Sequence, residues 1–303
     1  MSPAVLCFGE ILWDLLPHGA FPGGAPFNVA YHLHRLGVPV LPVSAVGPDE
    51  LGAQLLRRLE AWGIATTAIT RDPTAPTGRV TATLSASGDA HYTIETHVAW
   101  DHISIDGAAL ATAARAPALV FGSLALRSAH NRQALARSAD NRQPLARLAA
   151  ALPPTAWRVF DVNLRAPHDD LALVRRFAPL ANVLKLNSAE AARLVSDAPE
   201  SPGREETDAR ALAAQLGVST VCVTAGSRGA GLLRADRWTW VPAQPVAVVD
   251  TIGAGDAFLA ALLAGLLRGA RTDAELLSAA CRLGEWVAAH AGATPAYDGT
   301  TPV

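Results

Sequence analysis

The run DTIGAGDAFLAALLAGLL, residues 250–267, sets one carboxylate, Asp256, among glycine and alanine at the mouth of an apolar helix. A helix start leaves free amides at the positive end of its dipole. Gly253, Ala254 and Gly255 leave room for an anion such as a phosphate to reach that backbone. An acid beside such a cradle has two readings. It can be an N-cap, a position that favours Asp, or a general base that takes the proton of an attacking hydroxyl.

Two other stretches carry residues of the same kind. In GGAPFNVAYHLHRLG (23–37), Gly23 and Gly24 permit close approach of a ligand, and Asn28 offers a donor and an acceptor at the start of a helix. A Gly-Gly turn ahead of an ordinary helix reads the same way. Upstream, Asp14 lies in GEILWDLLP just past the first strand, where it can accept hydrogen bonds from two hydroxyls or stand as an exposed strand-end acid.

Other phosphate and catalytic patterns are missing. GxxxxGK[ST] does not occur, and the only lysine, Lys185, lies in LKLN, so a Walker P-loop is excluded. The first strand-to-helix turn lacks GxGxxG, which argues against a nicotinamide oxidoreductase. No HExxH pairs the nine histidines, and no GxSxG elbow marks a hydrolase.

Elements that could position these groups follow from periodicity. Apolar runs at Ala4–Gly9, Val38–Val46, Ala118–Gly122, Arg158–Val162, Asn182–Leu186 and Ser219–Thr224 read as strands. Between them Pro26–Leu36, Asp49–Trp62, Ala129–Ala151, Leu171–Phe177, Ser188–Val195 and Asp208–Leu216 read as helices. This alternation predicts βαβ units, a mainly parallel sheet with helices on both faces, and a ligand beyond the C-terminal ends of the strands. Leu12–Phe21 and Thr77–Trp100 break the rhythm; the second reads as two alternating strands around a Ser-Gly-Asp turn, a small antiparallel piece suited to a lid or a dimer surface. SAHNRQALAR (128–137) is repeated as SADNRQPLAR (138–147), too short for a solenoid unit, and Pro144 must end or kink a helix unless it lies in a first turn.

Composition bounds the function. Half of the 303 residues are hydrophobic and 17% are charged, enough to fill a large core. Net charge −2 and a pI of about 6.5 argue against a dedicated nucleic-acid or membrane-surface binder; the basic residues are 24 Arg to one Lys. Cys7, Cys222 and Cys281 are far apart and form neither a disulfide framework nor a thiolate metal site. With no signal peptide pattern and no uninterrupted span of about 18 apolar residues, a cytoplasmic protein is expected.

The chain resembles the PfkB (ribokinase-like) carbohydrate kinases essentially end to end. GGAPFNVAYHLHRLG is similar to their N-terminal signature and DTIGAGDAF to their C-terminal one, with DVNLR (161–165), KLNSAE (185–190) and TAGSRG (224–229) between them in the family's order. The resemblance implies a single ribokinase-like domain over 1–303: a three-layer α/β sandwich with a mainly parallel central sheet and a β-lid from about 12–21 and 77–100. It implies ATP and Mg2+, and a monovalent cation such as K+. It makes Asp256 the base, Gly253, Ala254 and Gly255 the anion hole, and Asn187 and Glu190 the organisers of magnesium and nucleotide phosphates. Thr224, Gly226 and Gly229 fall where the family contacts ATP. Cys281 stands near the adenine pocket, where ribokinases carry asparagine. Asp14, Gly23, Gly24, Asn28, Asp161 and Asn163 fall in the sugar pocket. Asp250, Ile252 and Gly292 match the monovalent-cation loop.

Ala25 replaces the lysine of the GGKGxN pattern of ribokinases and phosphosugar kinases, so a phosphorylated substrate is poorly supported. GGAPFNVA, GSLALRS and DVNLR together are most similar to bacterial fructokinases, which implies D-fructose as acceptor. Arg165 keeps 2-keto-3-deoxygluconate kinase open, because it can clamp the transferring phosphate or pair with a substrate carboxylate. A ribokinase-type kinase is a further alternative. A non-catalytic scaffold with the same fold is the reading from another class, and the presence of Asp256, Asn187 and Glu190 argues against it.

Overall fold

The computed structural model describes residues 3–16, 19–84, 90–132, 144–269 and 272–302. In chain order the first half runs β1 (Val5–Phe8), β2 (Leu12–Leu16), β3 (Gly19–Gly23), α1 (Ala25–Arg35), β4 (Val40–Val46), α2 (Glu50–Ala61), β5 (Ile69–Arg71), β6 (Gly78–Leu84), β7 (Ala90–Ile94), α3 (Gly107–Ala113) and β8 (Ala118–Gly122). The second runs α4 (Ala129–Arg132), α5 (Pro144–Ala151), β9 (Trp157–Asp161), α6 (Leu171–Phe177), β10 (Val183–Asn187), α7 (Ser188–Ser196), α8 (Glu205–Leu216), β11 (Thr220–Thr224), β12 (Ala230–Arg234), β13 (Arg237–Val241), α9 (Ala254–Arg268) and α10 (Asp273–Ala288).

Nine strands form the central sheet in the order β13-β12-β11-β10-β9-β8-β1-β4-β5. From β11 to β5 every pairing is parallel; β12 and β13 close one edge antiparallel. The parallel strands are apolar on both faces because helices cover both. On β1, Val5 and Cys7 join the cluster with α1, α2 and α9, while Leu6 and Phe8 join the cluster with α3, α5, α6, α7 and α8. Phe121 and Phe160, on adjacent strands β8 and β9, stack at 4.8 Å in that second layer. Full burial of one such ring contributes about 1.5–3 kcal/mol. The alternation of strands and helices predicted this mainly parallel sheet covered on both faces, and the three-layer, ribokinase-like arrangement is the one the family resemblance implies.

A separate four-stranded sheet, β3-β2-β6-β7, forms the lid. It differs in detail from the expected antiparallel piece. β2 pairs parallel with β6, and β3 extends the first lid segment to Gly23. HYTIETHVAW is strand only to Ile94; Ala99–His102 winds into a 3-10 turn that buries Trp100. The Ser-Gly-Asp turn falls outside the described residues.

Two further expectations are refined. Asp14, past the first strand as expected, lies within a second strand, β2, and not at a free strand end. The helix read as Asp208–Leu216 starts at Glu205. Within the span read as the helix Ala129–Ala151, Ala129–Arg132 (α4) and Pro144–Ala151 (α5) are helical, and the residues between them lie outside the described residues. Most of the tandem repeat lies outside the described residues. The β12–β13 hairpin went unread because its turn, Ala235-Asp236, holds two non-glycine residues at φ 49 and 59, without the usual Asn-Gly signal.

Candidate active site

The parallel strands share one direction, and the notable polar residues gather at their C-terminal ends. β1 leads into Glu10, β9 ends at Asp161, β10 at Asn187 and β11 at Thr224, with Asn187 and Thr224 in register.

α9 begins with Gly253 as its N-cap residue, at φ 77, with no side-chain cap. The left-handed backbone suits glycine, and a Cβ there would press on Ala293 at 2.5 Å. The amides of the next turn have no intrahelical acceptor. Asp256, the third residue after Gly253, is not the N-cap. Its carboxylate is buried and accepts a hydrogen bond from Asn28 Nδ2 on α1 at 2.8 Å. Burial raises its pKa from 3.8 to about 6 and the Asp161 charge adds to the rise, while Lys185, the Asn28 bond and Arg165 oppose it. A carboxyl so placed exchanges its proton near neutrality and is not spent as the cap of α9.

β9 and β10 put Asp161 and Lys185 in register on one face, so their side chains meet at 3.1 Å. Burial alone would lower the Lys185 ammonium, but Asp161, Asp256 and Glu190 together carry it above its ordinary value. Its Nζ lies under the first turn of α9, 3.1 Å from where a Cβ on Gly255 would stand. Sequence reasoning gave Lys185 no role. Its proximity to the cradle follows from strand register, which no local pattern reports.

Asn187 and Glu190 bond to each other. Asn187 caps α7 by accepting from the Glu190 amide at 2.9 Å, and Glu190 returns the bond to the Asn187 amide at 2.8 Å. The second Glu190 oxygen accepts from the Leu164 amide at 2.7 Å, tying α7 to the DVNLR loop. The pair is thus a capping box as well as a candidate phosphate-side group. Asn163 in that loop sits at φ 39, a left-handed conformation that asparagine tolerates. Arg165 is exposed, yet its charge lowers the Asp14, Glu10 and Asp256 carboxyls, which places the guanidinium toward them.

Under the lid, Asp14 on β2 lies against Gly23 on β3, where any side chain would overlap its carboxylate. Burial raises Asp14 from 3.8 to about 7; Arg165 opposes the rise, and Asp256 and Asp250 add to it. Gly24, at φ 111, abuts the Glu10 carbonyl so closely that a Cβ would overlap it. The two glycines make room for these acids. Glu10 was overlooked because it reads as the polar end of a strand. It is buried, accepts the Ala25 amide at 3.1 Å, and burial pushes its pKa from 4.5 to about 7.

Asp250 joins Ile252 and Gly292 as expected of one loop: its carboxylate accepts the Ile252 amide at 2.9 Å and the Gly292 amide at 3.2 Å. Thr224, Gly226 and Gly229 follow β11 in a tight turn, and Gly229 has no room for a side chain against Val241 and Pro242. Cys281 on α10 is buried in the cluster with Cys222 and Phe258, and burial raises its thiol to about 11, so it acts there as a small apolar group. No group of three or more His, Cys, Asp or Glu among the described residues is placed to hold a metal. Magnesium does not require one, since it commonly binds through one or two carboxylates, substrate phosphates and water.

Residues 19–298 match the pfkB family of carbohydrate kinases. The chain belongs to that family. Among relatives of this pfkB-family kinase, the fructokinase of Escherichia coli is 30% identical over 276 residues, 88% of this chain and 85% of that one. The aminoimidazole riboside kinase of Salmonella typhimurium is 29% identical over 286 residues, covering 91% and 85%. An uncharacterized sugar kinase from Pyrococcus horikoshii, solved in complex with ATP, superposes with a TM-score of 0.76 at 26% identity, covering 96% of this chain and 94% of that one. No helix among the described residues is long and apolar enough to cross a membrane.

Proposed function

We propose that this carbohydrate kinase transfers the γ-phosphate of ATP to a primary hydroxyl of a neutral sugar, D-fructose, giving fructose 6-phosphate. The observation that carries the reading is Asp256: a buried carboxylate in the first turn of α9, held by Asn28 and tuned to about 6. Asp256 takes the proton of the sugar hydroxyl as that oxygen attacks. The amides of Gly253, Ala254 and Gly255 receive the transferring phosphoryl group, and Arg165 clamps it from the opposite side. Phosphoryl transfer needs little more than this positioning and charge neutralisation.

Asp14, with Gly23, Gly24, Asn28, Asp161 and Asn163, forms the sugar pocket, and Asp14 accepts two hydroxyls. Thr224, Gly226 and Gly229 line the nucleotide side, with Cys281 beside the adenine. Asn187 and Glu190 would hold magnesium at the nucleotide phosphates, with the Glu190 carboxylate fixed in place by the Leu164 and Asn187 amides. Magnesium supplies charge neutralisation at the phosphates. Asp250 draws the Ile252 and Gly292 segments together, as a loop offering oxygens to K+ requires. We place the enzyme in the cytoplasm as one kinase domain over 1–303, able to form a homodimer through its lid.

The neutral acceptor is supported by Lys185, the one lysine, being committed to Asp161, and by Ala25 where a phosphosugar kinase would carry a lysine. The fructokinase of E. coli among the relatives supports fructose. One observation favours 2-keto-3-deoxygluconate instead: the exposed Arg165 guanidinium, directed at the pocket, can pair with a substrate carboxylate. A panel of neutral hexoses, pentoses, ribosides and keto-acid sugars, assayed with ATP and magnesium, decides. Fructose is expected to have the highest kcat/KM, with fructose 6-phosphate inert. Faster turnover of 2-keto-3-deoxygluconate than of any neutral hexose would overturn the substrate.

A further inference from the structure

Arg127, in the 3-10 turn after β8, holds together parts of the molecule that are distant in sequence. Its Nε and Nη2 donate to the two oxygens of Asp101 at 3.0 Å each, and both side chains are nearly buried. Nη2 also donates to the Glu95 carbonyl at 2.6 Å, just beyond the last lid strand. The guanidinium lies over the Trp100 ring, 3.9 Å from its centroid. Nη1 donates to His168 Nε2 at 3.1 Å. The His168 amide in turn donates to the Arg165 carbonyl at 2.6 Å, closing the turn that carries Arg165.

The loop holding Asn163 and Arg165 is therefore pinned at three points: Leu164 to Glu190, Asp169 to Arg193, and His168 to Arg127. The first two lead back to α7 on the sheet. Among the described residues, only the third leads to the base of the lid. We propose that His168 and Arg127 are positioning residues for phosphoryl transfer: they set Arg165 relative to the lid strands that cover the acceptor sugar.

A neutral imidazole must accept at Nε2 for this contact to exist, since a protonated ring would present a second donor to the guanidinium. Burial, and after it the Arg127 charge, lowers the His168 pKa from 6.5 and keeps the ring neutral. The contact also explains a nearly buried arginine at a sheet end: three of its four partners, Asp101, Glu95 and Trp100, brace the lid base and the fourth, His168, reaches the loop of Arg165. A bidentate Asp–Arg pair alone would need neither Glu95 nor His168.

The inference rests on Asp256-dependent sugar phosphorylation and deepens it. The test is His168→Ala, which removes the acceptor while leaving Arg127 its Asp101, Glu95 and Trp100 contacts. Misplacing a positioned charged group should lower kcat on the order of tenfold to a hundredfold. The KM values for sugar and ATP should stay within about twofold, since neither ligand touches His168. His168→Gln, whose amide oxygen can reach the same spot, should restore most of the loss. In an Arg165→Ala background His168→Ala should add less than about a further twofold, because both act through one group.

Wild-type kcat in His168→Ala would overturn the proposal. So would equal losses in the Ala and Gln variants, or a His168→Ala loss that multiplies fully with that of Arg165→Ala. A wild-type chain that phosphorylates no sugar in the panel would instead sink the kinase reading, and this inference with it. The wild-type control thus separates the two failures.

Discussion

Asn28 Nδ2 and Asp256 Oδ2 meet at 2.8 Å across 228 residues of chain. The bond joins α1, which follows the glycine pair, to α9, which follows the anion cradle, and those two helices pack against each other. It fixes one oxygen of the carboxylate and leaves Oδ1 without a protein donor among the described residues. Such a hydrogen bond to a charged group contributes about 1.5–3 kcal/mol. A base is thereby aimed, not merely present.

Asn28→Asp should turn this contact into a carboxylate pair. Two such groups at hydrogen-bond distance share one proton, so the pair ionises fully only at higher pH. Wild-type kcat/KM is expected to fall as pH drops through about 6, the value to which burial and Asp161 raise Asp256. In the variant that acid limb should move upward by about one unit or more, with the plateau lowered roughly tenfold. An acid limb near 4 in the wild type, or an unmoved limb in Asn28→Asp, would contradict the assignment.

Glu10→Gln should stabilise the protein at alkaline pH. Burial raises Glu10 from 4.5 to about 7, so its contribution to stability is fully present below about 4.5 and is lost as pH rises through about 7. Glutamine never ionises and keeps the acceptor for the Ala25 amide. Measured Tm values should coincide near pH 4.5 and separate by a few degrees in favour of the variant above pH 7. A pH-independent difference would mean that Glu10 ionises as an ordinary surface acid.

Asp14→Ala should act on the sugar alone. Removing a carboxylate that accepts two hydroxyls leaves both unpaired, and kcat/KM for the sugar should fall about tenfold to a hundredfold. ATP affinity, measured by calorimetry, should hardly change. An unaltered sugar KM would return Asp14 to a structural role against Gly23.

Much of this was legible in the sequence because local pattern carried it. Six parallel strands appear within two residues of their predicted bounds, since β-branched runs between turn residues leave few alternatives. Asp256 and Asn28 stand out because each opens an apolar helix beside glycine. The rest depends on what lies across the sheet. Glu10 and Lys185 acquire their meaning from Ala25 and Asp161, partners 15 and 24 residues away that only strand order brings near. The parallel β2–β6 pairing, likewise, follows from where the lid sits and not from either strand's alternation. Gly23 and Gly24 read as access for a ligand, and strand pairing gives them a second reason: a side chain at either position would overlap Asp14 or Glu10.

The central claim is that Asp256 is the general base, and one substitution tests it. The structure assigns the N-cap of α9 to Gly253, so Asp256→Asn removes no cap and preserves shape. General acid–base catalysis is worth about 10²–10⁴-fold, equivalent to roughly 2.7–5.5 kcal/mol on the barrier. The account predicts that kcat for sugar phosphorylation by Asp256→Asn falls by that factor, with ATP affinity close to wild type and Tm no lower than wild type. A kcat within a few-fold of wild type would contradict it and leave the carboxylate as a buried partner of Asn28 and nothing more.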